Sequence, residues 1–294
     1  MTKKQETLVI KIDWWLWRVV AMSGAITEVA KNRPVKVITS RPLVFRWNPY
    51  IKSVHWIDDR RLFEDVIKWN DYIEIEPYTK PKFFNDWVNR LEIVKDELWL
   101  DKVYEPCLFL AEHEKHSNIL WCQNCNSKKI LFQPFWSMWY DNDKSYRSLY
   151  VKDAQYIADN LVKNWFEVYV IEREDQPRLK WCEAITTTDM RRVVSLADRY
   201  PVIWVDSSMH HCAKAFWKQA LVIRAGTDRE RYWYESNINM REKPMVAHTP
   251  LRLNMNDFNY DISNQYTNQF SKEFLDKVVD IFIQMYNRNE ITNK

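Results

Sequence analysis

VDSSMHHCAKAFWKQ, residues 205–219, is the stretch on which the reading of this chain turns. Val202–Val205 leads into it as a short apolar run of the length of a buried strand, and Met209–Phe216 then reads as a helix. Ala220–Ile223 follows as a second strand. A strand running into a helix sets unpaired N–H groups and the positive end of the helix dipole where the strand stops, a natural seat for phosphate. A plain N-cap at Asp206 or Ser207, with a structural His211, accounts for the same residues.

Working outward, strand-like and helix-like segments alternate on both sides. Thr7–Ile12, Val35–Thr39, Ile51–Ile57, Asp71–Glu76 and Pro106–Leu110 read as strands in the first part, with helices at Leu16–Lys31 and Lys82–Leu98. In the second part Lys129–Gln133 and Glu167–Ile171 read as strands, and Val151–Asn164 and Thr188–Asp198 as helices. Ser271–Asn287 is an amphipathic helix, with Phe274, Leu275, Val278, Ile281, Phe282 and Met285 on one face. Such alternation predicts parallel sheets covered by helices. The polar stretch AEHEKHSNILWCQNCNS, 111–127, interrupts it. The expected organisation is therefore a first Rossmann-like domain over 1–112, a linker over 113–127, a second Rossmann-like domain over 128–270, and a C-terminal helix over 271–294 that bridges the two. In such sheets ligands bind beyond the carboxyl ends of the strands.

The 294 residues suffice for two domains. With 43 basic against 40 acidic residues and a net charge of +3, no general affinity for nucleic acid or an anionic membrane is expected. No apolar run reaches the ~18 residues of a transmembrane helix, and the N-terminus lacks a signal-peptide pattern. Five scattered cysteines fit reduced thiols in a cytoplasmic protein, with Cys107, Cys182 and Cys212 in apolar surroundings.

One pair of counts is abnormal: 2 Gly and 16 Trp. Ordinary usage would supply about 20 glycines in this length. Trp165 and Trp217 each stand between a helix and a strand, where a left-handed residue, usually Gly, ends the helix. Trp99 follows another helical run, and Trp14, Trp15 and Trp17 crowd the turn after the first strand. UGA is read as Trp in some genetic codes and as Gly in others. The expectation is that most of these tryptophans stand where the natural protein has glycine, with Trp87 a candidate for a genuine one. Trp47, Trp69 and Trp233 are then expected exposed in turns.

With Trp217 read as Gly, residues 205–219 resemble the D-S-G-x-x-H-x-A-A-A-x-G-K-P signature of the ADP-heptose:lipopolysaccharide heptosyltransferase-like glycosyltransferases. Asp206, Ser207 and His211 match, Ser208 holds the small-residue position, and Gln219 replaces the proline. IDWWLWR, residues 12–18, resembles the family's G-G-x-G-D loop under the same substitution. FQPFWS, residues 132–137, resembles its Q-P-x-x-S/T segment, and Asn48–Ile51 its N-P-Y-I-D stretch. The resemblance covers most of residues 7–227. It implies an α/β protein of two Rossmann-like domains facing across a cleft (GT-B), moving a sugar from a nucleotide-diphospho sugar to a glycan or other hydroxyl acceptor. Inversion at the sugar, with neither metal nor cofactor, is implied too.

The acceptor would sit on the first domain and the donor on the second. Asp206, Ser207 and His211 would bind the donor with Ser137, and Lys144 and Arg147 would face its diphosphate. The family's proposed base is the acid after the loop's last glycine, and here that position is Arg18, which stays protonated. Asp13, on the same loop, is the substitute base, and Arg18 a binder of an anionic acceptor or of the leaving phosphate. The lost acid also opens an alternative: a catalytically degenerate GT-B protein that binds nucleotide sugar or glycan without turnover. A metabolite-binding Rossmann protein is a third reading. His113, His116, Cys122 and Cys125 form a possible zinc set, although the five-residue gap between the pairs is short for a finger and suits a polar linker equally.

Overall fold

The computed structural model of the chain describes residues 6–13, 16–86, 88–117, 128–135, 148–174, 176–187, 189–205, 207–224, 233–242 and 270–288. The chain divides into two compact units, residues 1–112 with 214–216, and 113–213 with 217–294.

In the first unit the apolar run at 8–10 becomes strand β1 (Leu8–Lys11), whose Leu8, Val9 and Ile10 are all buried, as a strand covered on both faces requires. Helix α1 (Leu16–Asn32) leads to β2 (Val35–Thr39), which pairs in parallel with β1 from Leu8↔Val35 to Lys11↔Ile38. β3 (Ile51–Trp56) lies outside β2, and β4 (Asp71–Glu74) lies on the other side of β1, giving the all-parallel order β3-β2-β1-β4. Helix α1 is buried nearly all round. A Cβ on its Gly24 would lie 1.7 Å from the Glu105 carbonyl oxygen, so the backbone of 105–106 crosses the helix where only glycine fits. Asn48 donates from Nδ2 to Thr27 Oγ1 of α1 at 2.8 Å and accepts from Tyr50 N, which gives the NPYI stretch a structural task.

Two expectations fail in this unit. The helix expected over 82–98 is two, α2 (Pro81–Asn85) and α3 (Arg90–Glu97), because Asn89 accepts from Leu91 N and starts the second instead of continuing the first. Residues 106–110 form no strand, and Cys107 N donates to the Ser23 hydroxyl of α1 at 3.0 Å.

In the second unit helix α4 (Glu112–Ser117) occupies the start of the stretch read as irregular linker. It is pinned by Glu114, whose two carboxylate oxygens accept from Arg191 Nε and Nη2 at 2.9 and 2.6 Å inside the fold. The sheet combines β5 (Lys128–Gln133), β6 (Phe166–Glu172), β7 (Glu183–Thr186), β8 (Val202–Val205), β9 (Leu221–Ile223) and β10 (Ile238–Met240). Its order is β10-β9-β8-β5-β6-β7, parallel throughout. Helices α5 (Val151–Lys163), α6 (Met190–Arg199), α7 (Ser208–Lys214) and α8 (Lys272–Asn287) complete the unit. β7 and β10 escaped the sequence reading, being short segments without a clear apolar pattern. Ile130, Phe132, Ile157, Leu161, Val170, Ile203 and Leu221 pack with Phe274, Val278 and Phe282 of α8 in one core.

Among the described residues, every non-glycine with positive φ is a tryptophan: Trp47 (64°), Trp99 (52°), Trp165 (65°), Trp181 (64°) and Trp217 (61°). Three of them close helices. Trp99 N donates to Asp96 O and Leu100 N to Lys95 O, the two bonds of a Schellman motif around a left-handed C′ residue. Trp165 N donates to Val162 O, and Lys218 N reaches back to Ala213 O across Trp217. Their side chains are exposed, 85% for Trp165, although Trp is among the most buried residue types on average. Trp69 is likewise exposed in a turn, whereas Trp233 is only half-buried. Trp17 is helical and half-buried, its ring edge-on to Tyr78. Trp204 lies wholly inside β8, and its indole N–H has no hydrogen-bond partner among the described residues. Trp14, Trp15 and Trp87 lie outside the described residues.

Candidate functional site

Strand order locates the candidate site. In the second unit the chain builds β5-β6-β7 outward on one side and then β8-β9-β10 outward on the other, so direction reverses between β5 and β8. In the first unit the reversal falls between β1 and β4. Parallel α/β sheets open a crevice at such a switch point, beyond the carboxyl ends of the strands.

The second unit's switch point carries two of the sequence motifs. Gln133 ends β5, and Ser207 stands two residues beyond the end of β8. The Ser207 hydroxyl donates to Gln133 Oε1 at 2.8 Å, both side chains being buried, so the QP and DSS segments meet although far apart in sequence. His211, on α7, is buried with Nδ1 2.6 Å from the Tyr234 hydroxyl and its ring against that of His210. Tyr234 was not singled out from the sequence, and its neighbourhood offers no motif that could have marked it. Asp206, Ser137, Lys144 and Arg147 lie outside the described residues.

At the first unit's switch point, pairing runs past the strands, since Ile75 N donates to Lys11 O at 3.0 Å and Ile12 N to Ile38 O at 2.9 Å. Lys11 and Glu74 face each other at 2.8 Å, and the Glu74 carboxylate raises the lysine pKa. Asp13 follows directly, and its Oδ1 accepts from Ser40 N at 3.0 Å, which ties the carboxylate to the segment after β2. Arg18, in the first turn of α1, is buried, ion-paired with Glu76, and stacked over the Tyr78 ring at 4.4 Å. The Arg18 guanidinium, at the position where the sequence resemblance implies an acid, therefore has a carboxylate beside it inside the fold. Glu76 was missed as a site residue because it reads as the last residue of a strand. Only the order of β1 and β4 brings it to Arg18.

His113 and His116 are exposed on α4, and Cys122 and Cys125 lie outside the described residues. Among the described residues no group of three or more His, Cys, Asp or Glu could hold a metal ion. Burial pushes the Cys182 and Cys212 thiols up to about 12, which leaves them protonated and unreactive near neutral pH. Among the described residues no helix is long and apolar enough to cross a membrane.

No family model and no curated protein matches the chain. Solved structures do. A family 9 glycosyl transferase from Veillonella parvula DSM 2008 is similar with a TM-score of 0.66 at 11% identity, over 97% of this chain and 99% of that one. TibC, an iron-containing dodecameric glycosyltransferase of enterotoxigenic E. coli H10407, gives a TM-score of 0.70 at 12% identity, over 97% of this chain and 77% of that one. The E. coli heptosyltransferase WaaC, solved with ADP-2-deoxy-2-fluoro heptose, gives 0.59 at 10% identity, over 95% and 99%. The likeness is one of fold: the chain is an α/β protein built of two Rossmann-like units, as GT-B proteins are.

Proposed function

We propose that this protein is a glycosyltransferase that moves a sugar from a nucleotide-diphospho sugar to a glycan or other hydroxyl acceptor, with inversion and without a metal. One observation carries the reading: the motif residues Asp13 and Ser207, read from sequence as loop and donor residues, stand at the carboxyl-end switch points of the two parallel sheets. Fold likeness to a family 9 glycosyl transferase and to the heptosyltransferase WaaC over nearly the whole chain supports it. The second unit would hold the donor through Asp206, Ser207 and His211 with Ser137, while Lys144 and Arg147 neutralise the diphosphate as it leaves. Such preorganised charge is commonly the largest catalytic contribution. The first unit would hold the acceptor, and Asp13 would take the proton from the attacking hydroxyl as the bond to the sugar's anomeric carbon forms and the bond to the diphosphate breaks.

A second reading, a binding protein without turnover, draws on the buried Arg18–Glu76 pair, since Arg18 takes the position of the family's acid and accepts no proton. Thermal-shift screening of nucleotide-diphospho sugars, followed by a transfer assay on the binder found, separates the two. A ligand at ~100 times its Kd adds ~2.7 kcal/mol to the native state, a shift of several degrees. Asp13→Asn should keep that shift and lose turnover. Binding with no turnover by the unsubstituted protein against any acceptor favours the second reading, and no shift with any nucleotide sugar overturns both.

A further inference from the structure

We infer that Trp47, Trp99, Trp165, Trp181 and Trp217 are glycine in the protein as its own cell makes it. The composition raises this for the tryptophans as a group, and the backbone selects these five. Positive φ in a non-glycine residue is uncommon, and Asn, Asp and His are several-fold enriched there. Here all five described cases are tryptophan, and none is Asn, Asp or His. The local hydrogen bonding is that of a glycine cap. Trp99 sits inside both bonds of a Schellman motif, and Trp165 and Trp217 occupy the same C′ position after their helices. Trp181 turns the chain just ahead of β7, and Trp47 follows the 3-10 turn Pro42–Phe45.

Burial offers these side chains little compensation. Trp99, Trp165, Trp181 and Trp217 are 77–85% exposed, and Trp47 is half exposed. The contrast with Gly24 is instructive. There a glycine is required by close approach of another backbone segment, and the residue is glycine. At Gly24, then, close approach demands glycine and glycine is there, whereas tryptophan stands at the five described positions of left-handed backbone. A codon read as tryptophan in one genetic code and glycine in another produces this pattern, and UGA is such a codon. Trp204, packed inside β8, and Trp17, helical against Tyr78, carry no positive φ and stand outside the inference.

The test is peptide mass spectrometry of the protein purified from its source organism, with the gene's codons read alongside. Trypsin releases residues 164–173 and 181–191, each with one of the five positions. Both peptides should carry the mass of glycine at 165 and 181, and all five codons should be UGA. Tryptophan in either peptide, or UGG at any of the five codons, overturns the inference.

Discussion

Replacing Trp165 tests the left-handed caps through stability. Its φ of 65° forces Cβ toward the neighbouring carbonyl, a strain of ~1–2 kcal/mol for an L-residue. Glycine relieves that strain but loses ~0.5–1 kcal/mol to its freer unfolded chain. The indole is 85% exposed, so little burial is lost with it. Trp165→Gly should therefore stabilise the protein by ~0.5–1 kcal/mol. Trp165→Ala removes the same ring and keeps Cβ, so it isolates the backbone term and should fall below the glycine variant by ~1 kcal/mol. Trp181 and Trp217 belong to the same unit, and a triple glycine variant should gain ~1.5–3 kcal/mol if the sites add. At ~2–4 °C per kcal/mol, its Tm should rise by about 3–12 °C. Urea melts and calorimetry of the three proteins read this directly. An alanine variant as stable as the glycine variant would refute the backbone argument, because a penalty that does not depend on Cβ is not left-handed strain.

Three further outcomes follow from buried groups. Lys218 is 6% exposed, its Nζ has no hydrogen-bond partner among the described residues, and burial pushes its pKa down to about 8. Below pH 8 it is charged in both states and the native state bears the full penalty, on the order of 3 kcal/mol. Between pH 8 and 10.5 the unfolded chain holds the extra proton, so stability rises with pH there. Lys218→Met should be more stable at pH 7, with the difference from the parent closing by about pH 10.5 in urea melts; a difference constant with pH sinks this account. Arg191→Ala should cost about 3–5 kcal/mol by leaving Glu114 charged and buried, and a double-mutant cycle with Glu114→Ala should show strong coupling, whereas additive losses would mean the pair is not buried as described. Gly24→Ala should cost ~3 kcal/mol, the upper range for overpacking, since Cβ has no room against Glu105; a neutral melt would mean that the 105–106 backbone yields.

Most of the fold is legible in the sequence because parallel strands buried on both faces read as short apolar runs, and the runs at 8–10, 130–132, 168–171 and 202–205 all became strands. What failed was decided by single side chains or by partners remote in sequence. Asn89 splits a helix whose apolar period continues through it, because a capping side chain outcompetes periodicity locally. Glu183–Thr186 and Ile238–Met240 become strands only because neighbouring edges accept them. The segment at 106–110 has strand-like residues, yet it lies against α1 and gives a backbone donor to Ser23.

The candidate site was legible in a different way. Motif spacing placed Asp13, Ser207 and Gln133 at strand ends, and a strand end becomes a crevice only when the next strand goes to the far side of the sheet. That reversal depends on strand order, which no local pattern encodes, and so does the pairing of Arg18 with Glu76. Arg18, at the position where the resemblance implies an acid, looks in sequence like the loss of a catalytic group. In the fold it is half of an ion pair between the first turn of α1 and Glu76, two residues beyond the end of β4. Arg18→Asp would set a second carboxylate against that of Glu76 and should destabilise the first unit. Arg18→Met paired with Glu76→Gln removes both charges while filling the space, so it should hold the fold better than either single change. Under the proposed reading, transfer retained by the double variant would mean that Asp13 acts as base without either charge. If it binds donor but no longer transfers, the pair belongs to the acceptor site and positions it.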